Sequence, residues 1–388
     1  MRQTVRVCMP RYMQIGKGSV GTIVDILGVI GNVKCPLIVT DKMMVQIGHV
    51  AKVTSQLDEQ GIKYGVFDET IPDPTDTIVK EGIQKLKAGN HDCVIAIGGG
   101  SPIDTAKAIA VLSQGSDDIL DYRPPQQFNK IGLPIVAIPT TAGTGSEVTH
   151  HTVVVHSATQ DKISCRGEAF VPTAAIIDYE LTLTMPRRLT ADNALDTLTH
   201  AIEAFVSSKR CLFSNRMALD CMRLIGEFLE RAFNDEKDIE AREGLMLAST
   251  LGGLAFSNAS ISLVHAMSRP LGALFHVPHG MSNAMLLPQI TSFSLESAYD
   301  RYAECARVIG FASKDVSDEV AAQELVKGLY RYQVDMEIPS ISQFGIDQTE
   351  FESSLNKMAK DALASGAPLF NPRVPTEEEI VKLYQQAW

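Results

Sequence analysis

Asp196 and His200 stand four residues apart in the stretch DNALDTLTHAIEAF, among Leu195, Leu198, Ala201 and Ile202. On an α-helix that spacing sets a carboxylate and an imidazole one turn apart on a single face, with tips close enough to share a cation. A carboxylate turned inward among carbon is costly unless it is paired. Two more imidazoles, His265 and His279, lie in LVHAMSRPLGALFHVPHGMSNAMLLP, a largely apolar segment interrupted by Arg269, Pro270, His276 and Pro278. Together the four side chains offer three nitrogens and one oxygen, a set suited to a divalent transition metal such as Fe or Zn and ill suited to Ca or Mg. A His–Asp hydrogen bond without an ion fits the same spacing, and spacing alone does not choose between them.

A second chemistry is written in VIAIGGGSPIDTAKAIA, where Gly98, Gly99, Gly100 and Ser101 separate an apolar strand from a helix whose first turn is expected to contain Asp104. Residues without a Cβ let backbone N–H groups approach a phosphate, and a helix start favours negative charge, so a pyrophosphate can dock there. Neither GxGxxG nor GxxxxGK[ST] is present, and a plain turn accounts for the stretch taken alone. PTTAGTGSEVT, from Pro139 to Thr149, follows another apolar strand and crowds hydroxyls around Gly143 and Gly145. Two such loops at strand C-terminal ends lie where open α/β sheets bind ligands. Asp41, closing the strand PLIVTD, can accept hydrogen bonds from a ribose diol and would repel a 2'-phosphate, which favours NAD over NADP. It precedes the glycine loop instead of following it, and a turn or cap residue is the plainer role.

These groups need a scaffold. From residue 1 to 183, β-rich runs (PLIVTD, KYGVFD, CVIAIGGG, PIVAIP, AAIIDY) alternate with helical stretches such as DTIVKEGIQKLKAG and DTAKAIAVLSQ. Strand and helix in alternation imply an α/β domain built on a mostly parallel sheet. From 184 to 388 every periodic segment is helical, which implies an all-α second domain whose last helix opens with the capping-box pair Thr376 and Glu379. With no long linker, the two domains are expected to meet around a shared cleft.

The bulk numbers exclude several classes of function. The 388 residues, 45% hydrophobic and 21% charged, describe a globular protein long enough for two cores. A net charge of -11 gives no basic field for nucleic acid. Seven cysteines without a CxxC spacing indicate neither a disulfide framework nor a zinc ribbon. The N-terminal stretch lacks a signal-peptide core, and no apolar run approaches the roughly 20 residues of a membrane helix. A cytoplasmic enzyme, with no membrane partner, is the expected class.

GGGSPIDTAKAIA, IPTTAGTGSEVT, LDTLTHAIEAFVS and LVHAMSRPLGALFHVPHGMSNAMLLP, in this order, resemble the iron-containing (group III) alcohol dehydrogenases, and the match extends to the closing FNPRVPTEEEIVKLYQQA. The resemblance implies a dehydroquinate synthase-like architecture, with a dinucleotide-binding domain, a helical metal domain and reversible NAD(P)-linked oxidation of an alcohol. It implies Asp196, His200, His265 and His279 as ligands of Fe(II) or Zn. It implies Gly98, Gly99, Gly100, Ser101 and Asp104 as the pyrophosphate loop, with Thr140, Thr141, Ser146, Lys162 and the ribose ligand Asp41 as further cofactor contacts. A homodimer or larger homo-oligomer is likewise implied.

One departure bears on substrate. Where many relatives carry HGMAHPLGA this chain has HAMSRPLGA, so a histidine that is a candidate proton relay is replaced by Arg269, which cannot titrate near neutrality. His276 is then the group left to relay, and Arg269 is a cationic fork suited to a substrate carboxylate, as in 4-hydroxybutyrate, or to a structural ion pair. The alternatives are a metal- and NAD-dependent lyase or cyclase of the dehydroquinate-synthase type, a metal-free maleylacetate-type reductase, and a non-catalytic NAD-binding module.

Overall fold

Short apolar runs in the first half of the chain become strands covered on both faces. The strands are β1 (Tyr12–Ile15), β2 (Pro36–Val39), β3 (Gly65–Phe67), β4 (Cys93–Gly98), β5 (Ile135–Pro139), β6 (His151–His156), β7 (Asp161–Arg166) and β8 (Ala174–Ile177). Six of them form one sheet in the order β1-β8-β5-β4-β2-β3, parallel throughout. Alternate side chains divide between two cores: Val94, Ala96, Ile135 and Ala137 enter one, and Ile95, Ile97, Val136 and Ile138 the other. That is why these strands read as unbroken apolar runs.

The structure is a computed structural model that describes residues 4–159 and 161–388. Two compact units are present, Cys8–Thr184 and Met185–Trp388, with residues 4–7 grouping with the second. In the first unit the helices are α1 (Ile23–Gly31), α2 (Lys42–Gln46), α3 (His49–Glu59), α4 (Asp76–Ala88) and α5 (Gly100–Leu112). In the second they are α6 (Arg187–Val206), α7 (Leu212–Asn234), α8 (Ile239–Ser257), α9 (Leu263–Phe275), α10 (His279–Ser294), α11 (Tyr299–Ile309), α12 (Asp318–Asp335), α13 (Gln348–Ala364) and α14 (Glu377–Gln386). The second unit has no strand among its described residues, and the Thr376–Glu379 capping box opens α14. No helix among the described residues is long and apolar enough to cross a membrane.

Three features differ from the sequence reading. The edge strand β1 and the antiparallel hairpin β6–β7 were not expected: β1 has only four residues and takes its register from β8, a tertiary partner that local pattern does not contain. The helix after β4 starts at Gly100, so Asp104 falls in its second turn. Gly98, at φ 149, turns the chain so tightly that a Cβ there would lie 2.5 Å from Pro102. Pro102 in turn sits in the first helical turn, where a missing N–H costs little.

In the second unit α6 is buried on nearly every side beyond Thr190. Close approach is bought by small residues: a Cβ on Gly280 would meet the Asp192 carbonyl oxygen at 2.6 Å, and one on Gly252 the Thr197 methyl at 3.2 Å. These contacts bring α10 and α8 onto α6.

In the first unit a buried lysine ties the hairpin to α5. Lys107 Nζ donates to Thr149 O (2.9 Å), Thr149 Oγ1 (2.9 Å), His151 O (2.8 Å) and Ser146 Oγ (3.2 Å). Burial pushes its pKa down to about 8, against the pull of Asp104 and Glu147, so the ammonium persists at neutral pH. Lys107→Met leaves those acceptors and the Asp104 charge without it; we expect a loss of about 3 kcal/mol of stability in urea unfolding. A midpoint equal to that of wild type would show that the strut carries no stability.

Candidate metal centre and cofactor loops

One face of α6 is a polar stripe inside an apolar interior. Asp192, Asp196, His200 and Glu203 follow one another at helical spacing, and all four are buried. Each has a partner that makes its burial tolerable. Asp192 accepts from Arg188 at 2.5 Å. Asp196 Oδ1 faces three imidazole nitrogens: Nε2 of His265 at 3.5 Å, of His279 at 3.8 Å and of His200 at 3.9 Å. Four donors at the corners of a tetrahedron with bonds of about 2.1 Å lie about 3.4 Å apart, so a small cation fits among them with little adjustment. Among the described residues, ligand atoms of Asp196, His265 and His279 lie within 4.8 Å of one another.

The helices deliver these groups from three directions. His265 belongs to the first turn of α9 and His279 is the first residue of α10. His200 is stacked between Phe256 (ring centroids 4.2 Å apart) and His265 (4.5 Å). His265 Nε2 is buried and has no hydrogen-bond partner, the condition of a nitrogen whose partner is an ion. The donor set therefore fits a divalent transition metal.

Charge within the cluster is strongly polarised. Burial acts to raise the Asp196 pKa, but the charges of His200 and His279 and the contact with His265 outweigh it, so the carboxyl is ionised well below its usual range. Burial, reinforced by the neighbouring imidazoles, lowers His200 to about 3 against the pull of Asp196. For His265 burial is overruled by the Glu203 and Asp196 carboxylates, which hold its pKa up at about 9.

Two participants escaped the sequence reading. Asn283, one turn into α10 after His279, donates Nδ2 to Asp196 Oδ1 at 2.6 Å and lies 3.3 Å from His279 Nε2. Glu203 receives His265 Nδ1 at 2.6 Å. Both spacings were visible, three residues after His200 for Glu203 and four after His279 for Asn283, but what each contacts is tertiary information. Arg269 lies one turn beyond His265 on α9 and is half-buried, whereas His276 is exposed at the C-cap with φ 55.

In the first unit the two loops meet at the C-terminal ends of β4 and β5. A Cβ on Gly99 would stand 3.2 Å from Thr141 Oγ1, and one on Gly100 would stand 2.9 Å from the Thr144 methyl. The glycines are thus demanded by the second loop packing on the first. No side chain caps the start of α5, which leaves its first amides for an anion. Ser101 opens that turn, while Asp104 accepts from Ser146 Oγ (2.6 Å) and Val153 N (2.9 Å) and joins the loops. Thr140 is buried, its hydroxyl 3.3 Å from the Met44 sulfur. Asp41 caps α2 by accepting from Met44 N at 3.0 Å, and Lys162, on β7, pairs with Asp73 at 2.8 Å.

Comparison with known proteins agrees with this geometry. Residues 10–179 match the model of the iron-containing alcohol dehydrogenases, and residues 190–388 that of the Fe-containing alcohol dehydrogenase family, C-terminal. The chain is 36% identical over 386 residues to the lactaldehyde reductase of Escherichia coli (strain K12), covering 99% of each. It is also 36% identical over 380 residues to the NAD-dependent methanol dehydrogenase of Bacillus methanolicus, covering 98% of each. A crystal structure of 1,3-propanediol oxidoreductase superposes with a TM-score of 0.95 at 32% identity, over the full length of both chains. The chain belongs to the iron-containing alcohol dehydrogenase family, NAD(P)-linked enzymes that interconvert alcohols and aldehydes.

Proposed function

We propose that the protein interconverts a small primary alcohol, diol or ω-hydroxy acid with its aldehyde, using NAD in preference to NADP and Fe(II), with Zn able to replace it. The observation that supports this most directly is the convergence of three imidazoles, the buried His200 and His265 and the exposed His279, on the buried Asp196 Oδ1. Asp196, His200, His265 and His279 would hold the metal. A metal bound there would supply Lewis acidity toward the substrate oxygen, and a bound NAD would supply the hydride-transfer chemistry. The activities named for the relatives, reduction of lactaldehyde and oxidation of methanol and 1,3-propanediol, favour this reading over the lyase and the metal-free reductase. We place the enzyme in the cytoplasm as a homodimer or larger homo-oligomer, with no nucleic-acid partner.

The chain's own groups have distinct tasks. The uncapped start of α5, with Gly98, Gly99, Gly100 and Ser101, binds the pyrophosphate through backbone amides. Thr140, Thr141, Ser146 and Lys162 contact the cofactor, Asp104 anchors that loop, and Asp41 accepts from the ribose diol. Arg269 holds an anionic end of the substrate, and His276 passes the alcohol proton to solvent.

Four measurements test these assignments. Protein stripped by a chelator is expected to form no NADH from short alcohols, diols and ω-hydroxy acids until Fe(II) or Zn(II) is restored. Absence of turnover with either ion would favour the lyase. Asp41→Ala is expected to lose roughly tenfold or more of its preference for NAD over NADP, the worth of about one hydrogen bond to a charged group; an unchanged ratio removes Asp41 from cofactor choice. Arg269→Ala is expected to lower kcat/KM for 4-hydroxybutyrate relative to butanol by about tenfold or more, whereas His276→Ala should lower kcat for both and alter its pH profile. The same preference in Arg269→Ala and wild type ends the anion-site idea.

A further inference from the structure

Glu203 makes a set of contacts that neither metal ligation nor packing requires. It is 2% exposed, carries a full carboxylate and lies two turns after Asp196 on the stripe of α6. Its two oxygens accept from Ser262 N (2.9 Å), Ser262 Oγ (3.0 Å), Val264 N (2.6 Å), His265 N (3.4 Å) and His265 Nδ1 (2.6 Å). Ser262 makes no side-chain cap of its own on α9. The carboxylate therefore reaches in from another helix and satisfies the amides that open α9, where the helix dipole also favours negative charge.

The Nδ1 contact has a chemical consequence. An imidazole that donates Nδ1–H to a carboxylate keeps Nε2 as the nitrogen with the lone pair and has its ring plane held. The freed nitrogen is His265 Nε2, buried, without a hydrogen-bond partner and 3.5 Å from Asp196 Oδ1. The same carboxylate grips the backbone of residues 262–265, so ring rotation and displacement of the turn are both opposed.

We propose that Glu203 is a positioning residue for the metal centre, setting the tautomer and orientation of His265 and strengthening it as a donor while it caps α9. This rests on the reading of Asp196, His200, His265 and His279 as metal ligands. Glu203 itself is not a ligand, because its oxygens are spent on the start of α9 and on Nδ1.

The test measures metal, not turnover alone. Glu203→Gln keeps the volume but presents an amide N–H to groups that all donate. Its affinity for Co(II), by competition with a chromophoric chelator, is expected to be on the order of 10- to 100-fold below that of wild type. The visible absorption of the cobalt-loaded protein should shift, because the donor strength and angle of His265 change, and binding of NADH should be retained. A purely capping role predicts a lower melting temperature with cobalt affinity and spectrum unchanged, and that result overturns the proposal. If Glu203→Gln does not fold, Glu203→Asp, which keeps the charge and retracts it by one methylene, is read in the same way. His265→Ala separates the two levels of argument. Cobalt affinity unaffected by His265→Ala would refute the metal centre itself, whereas a loss there with wild-type affinity in the Glu203 variant refutes the positioning role alone.

Discussion

An ionised carboxylate buried in a helical core is the constraint around which the second unit is arranged. Removing one charge from water costs several kcal/mol even after relaxation, and α6 carries three carboxylates along its buried stripe, Asp192, Asp196 and Glu203. Each is compensated differently: Asp192 by a guanidinium, Glu203 by the start of a helix and an imidazole, Asp196 by three imidazoles and an amide. The first two compensations are complete within the protein. The third gathers three imidazoles and an amide around one oxygen and leaves the buried His265 Nε2 without a hydrogen-bond partner, an arrangement that a divalent cation would complete.

The first unit meets its own electrostatic constraint with a carboxylate and a buried ammonium that attract one another. Asp104 and Lys107 share one helix, and between them they hold Ser146, Thr149, His151 and Val153. The second loop is thereby pressed onto the glycines of the first, so that Gly99 and Gly100 face Thr141 and Thr144 at distances no Cβ would permit without movement. A glycine triplet that invites a purely phosphate-based explanation thus has a packing reason as well. The two reasons are compatible, since no side chain caps the first amides of α5.

Much of this was legible in the chain. Short apolar runs alternating with helical stretches, and a change to helical period after Pro186, correspond to the parallel sheet and the helical unit. The boundaries that moved did so for tertiary reasons. β1 exists because β8 offers it a register, and α5 gained a turn because Gly98 and Pro102 permit the helix to begin inside the glycine loop. The hairpin β6–β7 carries Val153, Val154 and Val155, but its anchor is Lys107, more than 40 positions away in the chain, and no local pattern reports such a partner.

The cluster around Asp196 shows where legibility stops. Asp196 and His200 could be paired from helical spacing alone, because i and i+4 share a face whatever surrounds the helix. Glu203 shares that face by the same arithmetic, yet a glutamate at such a position has many possible partners, among them lysines, arginines and solvent. Only the path of the chain from α8 through Ser262 into α9 delivers three amides and Nδ1 to its two oxygens. Residues that bind by their own spacing can therefore be read from a helix in isolation. Residues that act by orienting another side chain become readable only when the second helix is in place, and the polar stripe of α6 contains both kinds.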